Sequence, residues 1–352
     1  MPGDSRWNDK VGLKRIRTCL KSFCGVRNTV CAEAMKSPII LQPVYQTRVW
    51  GGRNLETVYG RGLPGDESLL IGESWDVVDR PEAQSVVIGG PYVGRTLGEL
   101  WRDQRDEVFG SDAPDRERFP ILCKILDVRQ TLSVQVHPPP GIAEKLGGEP
   151  KSEFWVASRV EKGALWYAGL KTGIGRETFE KSMRAGTTAE CLHQLPVGEG
   201  DGLYVPSGTV HALGAGQMVF EIQENSDTTF RVYDWGRVAE GGVQRDLHIE
   251  EAMQSINFTN TECVPVAKND GCLLEGPEFR VEKMVLPPGA KRVLTPGFSV
   301  VALVSGAVTC GGQSFGAGDY FLLPAAEIGV MVVESSGLAT EEGASLLRVT
   351  WP

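Results

Sequence analysis

One short phrase occurs twice in this chain, as Gly200-Asp201-Gly202-Leu203-Tyr204-Val205-Pro206 and as Gly318-Asp319-Tyr320-Phe321-Leu322-Leu323-Pro324. Each copy reads as a tight Gly-Asp turn, a short apolar strand and a proline stop. Glycine opens backbone angles closed to other residues, and proline cannot continue a strand ladder. A repeated unit of this kind suggests two related β-barrels in tandem, and jelly-roll barrels commonly carry such hairpins. The punctuation elsewhere agrees: 43 glycines and 21 prolines among 352 residues imply many turns and hence many short strands. With 41% hydrophobic residues the chain can bury a real core.

The formal charge of −9 is unevenly placed. Residues 1–37 hold eight Lys/Arg against three Asp/Glu, leaving 28 basic and 42 acidic residues beyond them, a formal −14. A body that acidic argues against a nucleic-acid surface, although one local Arg or Lys suffices to bind a phosphate. The cysteines stand at 19, 24, 31, 123, 191, 263, 272 and 310 with no CxxC pair, which fits reduced thiols in the cytoplasm better than a disulfide framework. No run approaches roughly 18 apolar residues, so no membrane span is expected. Residues 1–37 lack an apolar signal core and are read as a disordered extension, or as sequence ahead of a start at Met35. A transit peptide is the rival there, weakened by Asp4, Asp9 and Glu33. The division expected is 1–37 as extension, 38–256 as a barrel carrying the chemistry with a helical insertion at 176–192, and 257–352 as a second barrel.

Several local expectations follow. Leu97 to Val108 has helical spacing, Arg176 to Leu192 reads as helix broken at Gly186, and Asp246 to Ile256 reads as helix with Asp246 as its cap. Gly214-Ala215-Gly216 reads as a hairpin turn, not a phosphate cradle. In Leu132-Ser133-Val134-Gln135-Val136-His137 the alternation is strict: Leu132, Val134 and Val136 share one face, Ser133, Gln135 and His137 the other.

Only four histidines are present, at 137, 193, 211 and 248, and none follows 248. A His-bound metal therefore belongs to the first barrel. His137 shares a strand face with Gln135. Lys151 and Glu153 share one in Lys151-Ser152-Glu153-Phe154-Trp155-Val156, and His211 follows the Pro206-Ser207-Gly208 turn. Two imidazoles and a carboxylate form a divalent-metal set with positions left for water or substrate, and the Gln135 amide could be a fourth, weaker ligand. Blander readings stand beside this one. His137 could cap a strand end, Glu153 could pair with Lys151 at the surface, and His211 could be a core histidine bonded to backbone. His193 and His248 are read as ordinary residues in helical, polar contexts, and Trp155 and Trp235 are given no role.

Six phrases occur in one order between about residues 38 and 256: Val49-Trp50-Gly51-Gly52, Ile71-Gly72-Glu73-Ser74-Trp75, Gln135-Val136-His137-Pro138, Lys151-Ser152-Glu153-Phe154-Trp155, Pro206-Ser207-Gly208-Thr209-Val210-His211-Ala212, and Ser226 through Trp235. Together they resemble the type I mannose-6-phosphate isomerase family of the cupin superfamily, in its short bacterial form. The resemblance implies a mainly-β fold of two cupin-like jelly-roll barrels with a few inserted helices. It implies one Zn²⁺ at Gln135, His137, Glu153 and His211, and active-site roles for Arg231 and Lys151. The implied reaction interconverts mannose 6-phosphate and fructose 6-phosphate through an enediolate. Lys151 is read as lying near the metal, whose charge favours the neutral amine and makes it a usable base, and Arg231, permanently charged, as binding the phosphate or the enediolate oxygen. The implied partner is a sugar phosphate, with no nucleic acid or membrane; no oligomeric state is read. Two departures from the family pattern are Pro139-Pro140 after His-Pro and Lys-Ser-Glu in place of Lys-Thr-Glu, so the rim between His137 and Lys151 is expected to differ. The competing readings are a cupin oxygenase using Fe²⁺ at the same site and a non-catalytic sugar-phosphate-binding cupin.

Overall fold

The structure is a computed structural model that describes residues 37–238, 244–259, 263–266, 269–325, 331–335 and 343–352. The extension expected at 1–37 thus lies outside the described residues except for Ser37. Eleven strands build the first barrel: β1 (Val44–Gly52), β2 (Ile71–Val77), β3 (Ile121–Val128), β4 (Val134–Val136), β5 (Glu153–Val160), β6 (Leu165–Leu170), β7 (Leu192–Pro196), β8 (Gly202–Val205), β9 (His211–Leu213), β10 (Gln217–Glu224) and β11 (Phe230–Tyr233). They form a six-stranded sheet in the order β8-β5-β10-β3-β2-β1 and a five-stranded sheet in the order β7-β6-β9-β4-β11, antiparallel throughout. Nine strands build the second barrel: β12 (Gly271–Glu275), β13 (Arg280–Leu286), β14 (Lys291–Leu294), β15 (Ser299–Ser305), β16 (Ala307–Cys310), β17 (Gln313–Gly316), β18 (Tyr320–Leu323), β19 (Met331–Ser335) and β20 (Ala344–Thr350). Their sheets run β12-β13-β20-β15-β18 and β14-β19-β16-β17.

The repeated phrase does the same work in both barrels. Gly200 and Gly318 take positive φ values of 82° and 91°. The following aspartate folds its carboxylate back onto the chain: Asp201 accepts from the Gly198 N–H at 2.6 Å, and Asp319 from the Gly316 N–H at 2.7 Å. Each turn carries the chain from one sheet to the edge of the other, β7 to β8 and β17 to β18. These are corners between sheets and not hairpins within one. Gly214-Ala215-Gly216 is likewise a corner, from β9 to β10. Its glycine is needed because a Cβ at Gly214 would meet the Leu165 carbonyl oxygen at 2.5 Å.

The six-stranded sheet is covered on both sides, which is why β3, β5 and β10 read as near-continuous apolar runs. Ile121, Cys123, Ile125, Phe154, Val156, Met218, Phe220 and Ile222 join one core with Phe279, Val281, Val300, Ala302, Leu347 and Val349 of the second barrel. Trp101, Phe109, Phe119, Phe298 and Trp351 add an aromatic cluster to that seam, with neighbouring rings such as Phe298 and Trp351 at 4.9 Å between centroids. The alternate residues of the same strands, Leu126, Val128, Trp155, Ala157 and Val219, face the first barrel's interior. Its five-stranded sheet is covered outside by α2 (Arg176–Ala185) and α3 (Ile249–Ser255), through Val134, Val136, Phe179, Met253 and Ile256.

Local differences from the sequence reading have simple causes. The first of the expected helices, α1 (Leu97–Asp103), is held by a reciprocal Thr96–Glu99 cap and passes into a wider π turn over Arg105–Phe109. The second stops at Gly186, in the left-handed region, and a 3₁₀ turn over Thr188–Cys191 follows. α3 begins two residues later than expected, with His248 and not Asp246 at its cap position. His193 lies on β7 and not in a helix. Leu132 precedes β4 and packs inside the barrel with Trp50 and Leu126, so the alternation holds only from Ser133 onward. Among the described residues, no helix is long and apolar enough to cross a membrane.

Candidate active site

Strand ends bring the candidate ligands together. Gln135 stands mid-strand on β4, opposite His211 on one side and Arg231 on the other. His137 follows β4 directly, His211 opens β9, and Glu153 opens β5 with Lys151 two residues ahead of it. His137, Glu153 and His211 are buried, and one donor atom from each lies within 4.8 Å of the others.

The hydrogen bonds define the protonation of both imidazoles. His137 Nδ1 bonds the Thr228 carbonyl at 2.8 Å, and His211 Nδ1 bonds the Thr209 carbonyl at 2.9 Å. A carbonyl only accepts, so each Nδ1 carries the proton and each Nε2 keeps its lone pair. Burial together with the Lys151 ammonium pushes the His137 pKa down to about 3, and burial lowers that of His211. Both rings are therefore neutral at ordinary pH. His137 Nε2 then faces Glu153 Oε1 at 3.1 Å, and His211 Nε2 faces Glu153 Oε2 at 3.6 Å. Lone pairs so arranged around a carboxylate repel unless a positive charge stands among them. Such a set fits a divalent cation, and the two carbonyls behind the rings are the orienting partners metal-bound histidines need. Gln135 turns its amide nitrogen to His211 Nε2 at 3.4 Å, with its oxygen 3.2 Å from Ser133 Oγ.

Lys151 reaches into the same gap. Its Nζ lies 2.6 Å from Glu153 Oε1 and 3.4 Å from His137 Nε2. Burial alone would lower its pKa, but Glu153 and Glu221 outweigh burial and raise it, so the amine is held as an ammonium. That is the form without a cation in the cluster; the neutral amine expected from the sequence belongs to the metal-bound site. Glu153, despite burial, is held well below the usual carboxylate range by Lys151 and the histidines.

A second charged row lies beside the cluster, and sequence reasoning missed it. Lys124 Nζ stands 3.3 Å from Glu221 Oε1 and 3.7 Å from Glu73 Oε2, all three groups buried. Trp75 Nε1 donates to Glu73 at 2.6 Å, and Arg48 Nε donates to its other oxygen at 2.6 Å. Lys124 and Arg48 overcome the burial of Glu73 and depress it to about 2. Trp155, given no role from sequence, donates from Nε1 to Glu153 at 3.1 Å and Glu221 at 3.2 Å. The signal was present: Lys124 and Glu221 are charges flanked on both sides by apolar residues, inside the strands Ile121–Val128 and Gln217–Glu224.

A cavity of about 400 Å³ opens over this floor, with Arg48, Lys124, Gln135, Lys151, Arg231 and Arg245 in its wall. Arg245 is locked onto Asp234 by two bonds of 2.8 and 2.6 Å. Arg231 Nη1 donates to the Asp246 carbonyl at 2.9 Å, and its buried Nε has no hydrogen-bond partner among the described residues. Burial and the neighbouring Arg245 lower its pKa. His248, read as ordinary, accepts from the Arg231 backbone N–H at 3.2 Å and so steadies that strand.

A buried two-histidine, one-carboxylate centre inside an antiparallel barrel, under a polar, cation-rich cavity, defines a metal-site enzyme of the cupin class. Residues 39–161 match the family model of the phosphomannose isomerase type I catalytic domain. A probable mannose-6-phosphate isomerase of Bacillus subtilis is 35% identical over 307 residues, covering 83% of this chain and 94% of that protein. A mannose-6-phosphate isomerase of Streptococcus mutans is 34% identical over 301 residues, covering 82% and 93%. The crystal structure of the mannose 6-phosphate isomerase from Bacillus subtilis superposes with a TM-score of 0.76 at 30% identity, covering 89% of this chain and 99% of that one. The chain belongs to the type I mannose-6-phosphate isomerase family, a metal-dependent family of aldose–ketose isomerases.

Proposed function

We propose that this chain interconverts mannose 6-phosphate and fructose 6-phosphate, with one Zn²⁺ held by Gln135, His137, Glu153 and His211. The observation that carries the metal reading is the pair of Nδ1–H imidazoles whose Nε2 lone pairs converge on the buried Glu153 carboxylate. Zinc, when bound, supplies a Lewis acid that polarises the sugar carbonyl and a template for its vicinal oxygens. The remaining work falls to side chains. Lys151 is the group assigned to move the proton between C1 and C2. In the metal-free protein Glu153 holds it as an ammonium, and a carboxylate shared with a cation holds that proton less firmly. Arg231, unpaired with any carboxylate among the described residues and aimed at the same cavity, binds the phosphate or the developing enediolate oxygen.

In this reading residues 38–256 hold the chemistry and 257–352 form a barrel without a metal site. The substrate is a small sugar phosphate, and the acidic body with its scattered thiols suits the cytoplasm. A coupled assay for fructose 6-phosphate, with chelator and then with added Zn²⁺, tests reaction and metal together. Turnover lost to chelator and restored by zinc is the expected result. A folded, zinc-loaded protein with no turnover would sink the reaction and redirect attention to the rim between His137 and Lys151.

A further inference from the structure

The segment that carries Lys151 and Glu153 faces two ways. Those two side chains point into the barrel, and Ser152 between them points out of it, buried, toward the second barrel. Ser152 Oγ donates to Glu278 Oε1 at 3.0 Å, and the Tyr204 hydroxyl donates to Glu278 Oε2 at 3.0 Å. Both oxygens of one second-barrel carboxylate are thus engaged by hydroxyls of the first. The backbone of Ser152 is fixed as well. Its N–H donates to Glu224 Oε2 at 2.8 Å, and its carbonyl accepts from the Glu224 N–H at 3.1 Å.

Glu278 itself has little freedom of placement. It stands in the tight connection between β12 and β13, where the Gly276 N–H bonds the Phe279 carbonyl at 3.2 Å. Phe279 is fully buried in the core shared by the two barrels. In extended backbone, neighbouring side chains lie on opposite faces of one rigid unit. Movement of Ser152 on the outer face therefore moves Lys151 and Glu153 on the inner one.

We propose that Glu278 is a positioning residue for the active site, supplied by the second barrel: through Ser152 it fixes where the Lys151 amine and the Glu153 carboxylate stand. The rival account is that the contact only fastens one barrel to the other. Its kinetic consequence rests on the isomerase reading; its consequence for metal holding does not.

The test uses the full chain and compares Glu278→Ala, Ser152→Ala, Ser152→Thr and the double alanine variant. Three quantities are read: Zn²⁺ affinity by chelator competition, kcat and KM for mannose 6-phosphate, and the thermal midpoint. Each single alanine variant is expected to lose about tenfold in zinc affinity, the lower end of what outer-shell changes cost. The fall in kcat should be similar, with KM little changed. The double variant should lose little more than the singles, because both remove the Ser152–Glu278 bond and differ only in the Tyr204 bond to Glu278 and the 3.4 Å Ser207 N–H bond to Ser152 Oγ. Ser152→Thr should keep wild-type values because it keeps the hydroxyl. Wild-type zinc affinity and kcat in Ser152→Ala would overturn the proposal whatever happens to the midpoint. That variant also decides the matter if Glu278→Ala does not fold. A wild-type protein that does not isomerise, alongside variants that still lose zinc, would refute the reaction and leave the positioning role standing.

Discussion

The two barrels are built alike and filled differently, and strand register allows the comparison residue by residue. After each Gly-Asp corner, Leu203 pairs with Trp155 and Val205 with Glu153, whereas Phe321 pairs with Val301 and Leu323 with Ser299. Ser299 therefore occupies the place of Glu153. On the next strand, Glu221 opposite Trp155 corresponds to Arg348 opposite Val301. One strand further, Lys124 opposite Glu221 corresponds to Glu282 opposite Arg348. The carboxylate of the metal cluster has become a hydroxyl, and the lysine and glutamate positions hold Glu282 and Arg348, with Arg348 turned to the Thr295 hydroxyl and carbonyl at 2.7 and 2.9 Å instead of to a carboxylate. Much of the second interior is apolar, with Met284, Leu286, Val301, Leu303, Phe315 and Phe321 in contact. The architecture evidently closes without an ionic floor. Since a buried ion pair often stabilises less than a well-packed apolar substitute, the charges of the first barrel are best explained by chemistry and not by folding.

The strongest way to break this comparison is to remove ligands that the second barrel lacks. Glu153→Gln removes the only anion between the two Nε2 atoms, and His211→Ala removes one of those atoms. Either variant should retain no zinc at stoichiometric loading and show no measurable turnover. Metal analysis after gel filtration checks it, and full zinc occupancy in either would contradict the ligand set. Next in size, Lys151→Met should keep its zinc yet lose about 10²–10⁴-fold in kcat, the usual contribution of a positioned proton-transfer group. Near-normal turnover there would move the base elsewhere, with Glu221 the first alternative because it is buried, raised in pKa by burial and by Glu153, and in the cavity wall.

The interior of the second barrel should answer to packing alone. Leu303 is fully buried among apolar neighbours, so Leu303→Ala should cost about 2–5 kcal/mol of stability. It should leave zinc stoichiometry and KM unchanged. Urea unfolding and metal analysis on the same sample separate the two effects, and zinc loss without unfolding would show the barrels to be less independent than their interiors suggest.

How much of this was legible depended on what each residue does locally. The two barrels could be read because a Gly-Asp corner and a proline stop are local chemistry, repeated. Gln135, His137, Glu153 and His211 could be gathered because strand alternation puts them on one side before any tertiary structure is known. Lys124, Glu221 and Glu73 were not gathered, because what joins them is cross-strand register: Lys124 meets Glu221 only through the β3–β10 ladder. The protonation of Lys151 in the metal-free protein was out of reach for a related reason. Its state depends on Glu221, seventy residues away in the chain, as well as on Glu153. Ser152 and Glu278 were invisible from sequence for the same cause, since their contact crosses between barrels.

Acid should find the first barrel before the second. His137 titrates near 6.5 when unfolded and near 3 when folded, so the unfolded chain binds more protons across that window. Stability of the metal-free protein should be level above about pH 6.5 and fall as pH is lowered from there toward 3. Glu73, depressed from 4.5 to about 2, adds loss in the same direction below pH 4.5. Hydrogen exchange at pH 5 against pH 7 should show β4, β5 and β9 losing protection ahead of β13, β15 and β20. Equal loss in both barrels would mean that they open as one unit.

The smallest effect sharpens the comparison most. Ser299 is fully buried, and its Oγ has no hydrogen-bond partner among the described residues. An unsatisfied buried hydroxyl carries a desolvation cost with no return, so Ser299→Ala should raise stability by about 1 kcal/mol. Zinc content and turnover should not change. At the equivalent position of the first barrel, loss of the polar group should abolish both. If Ser299→Ala instead destabilises by that amount or more, the hydroxyl has a partner in the folded protein. The second interior would then be a polar site in its own right, and not one in which the group serves no purpose.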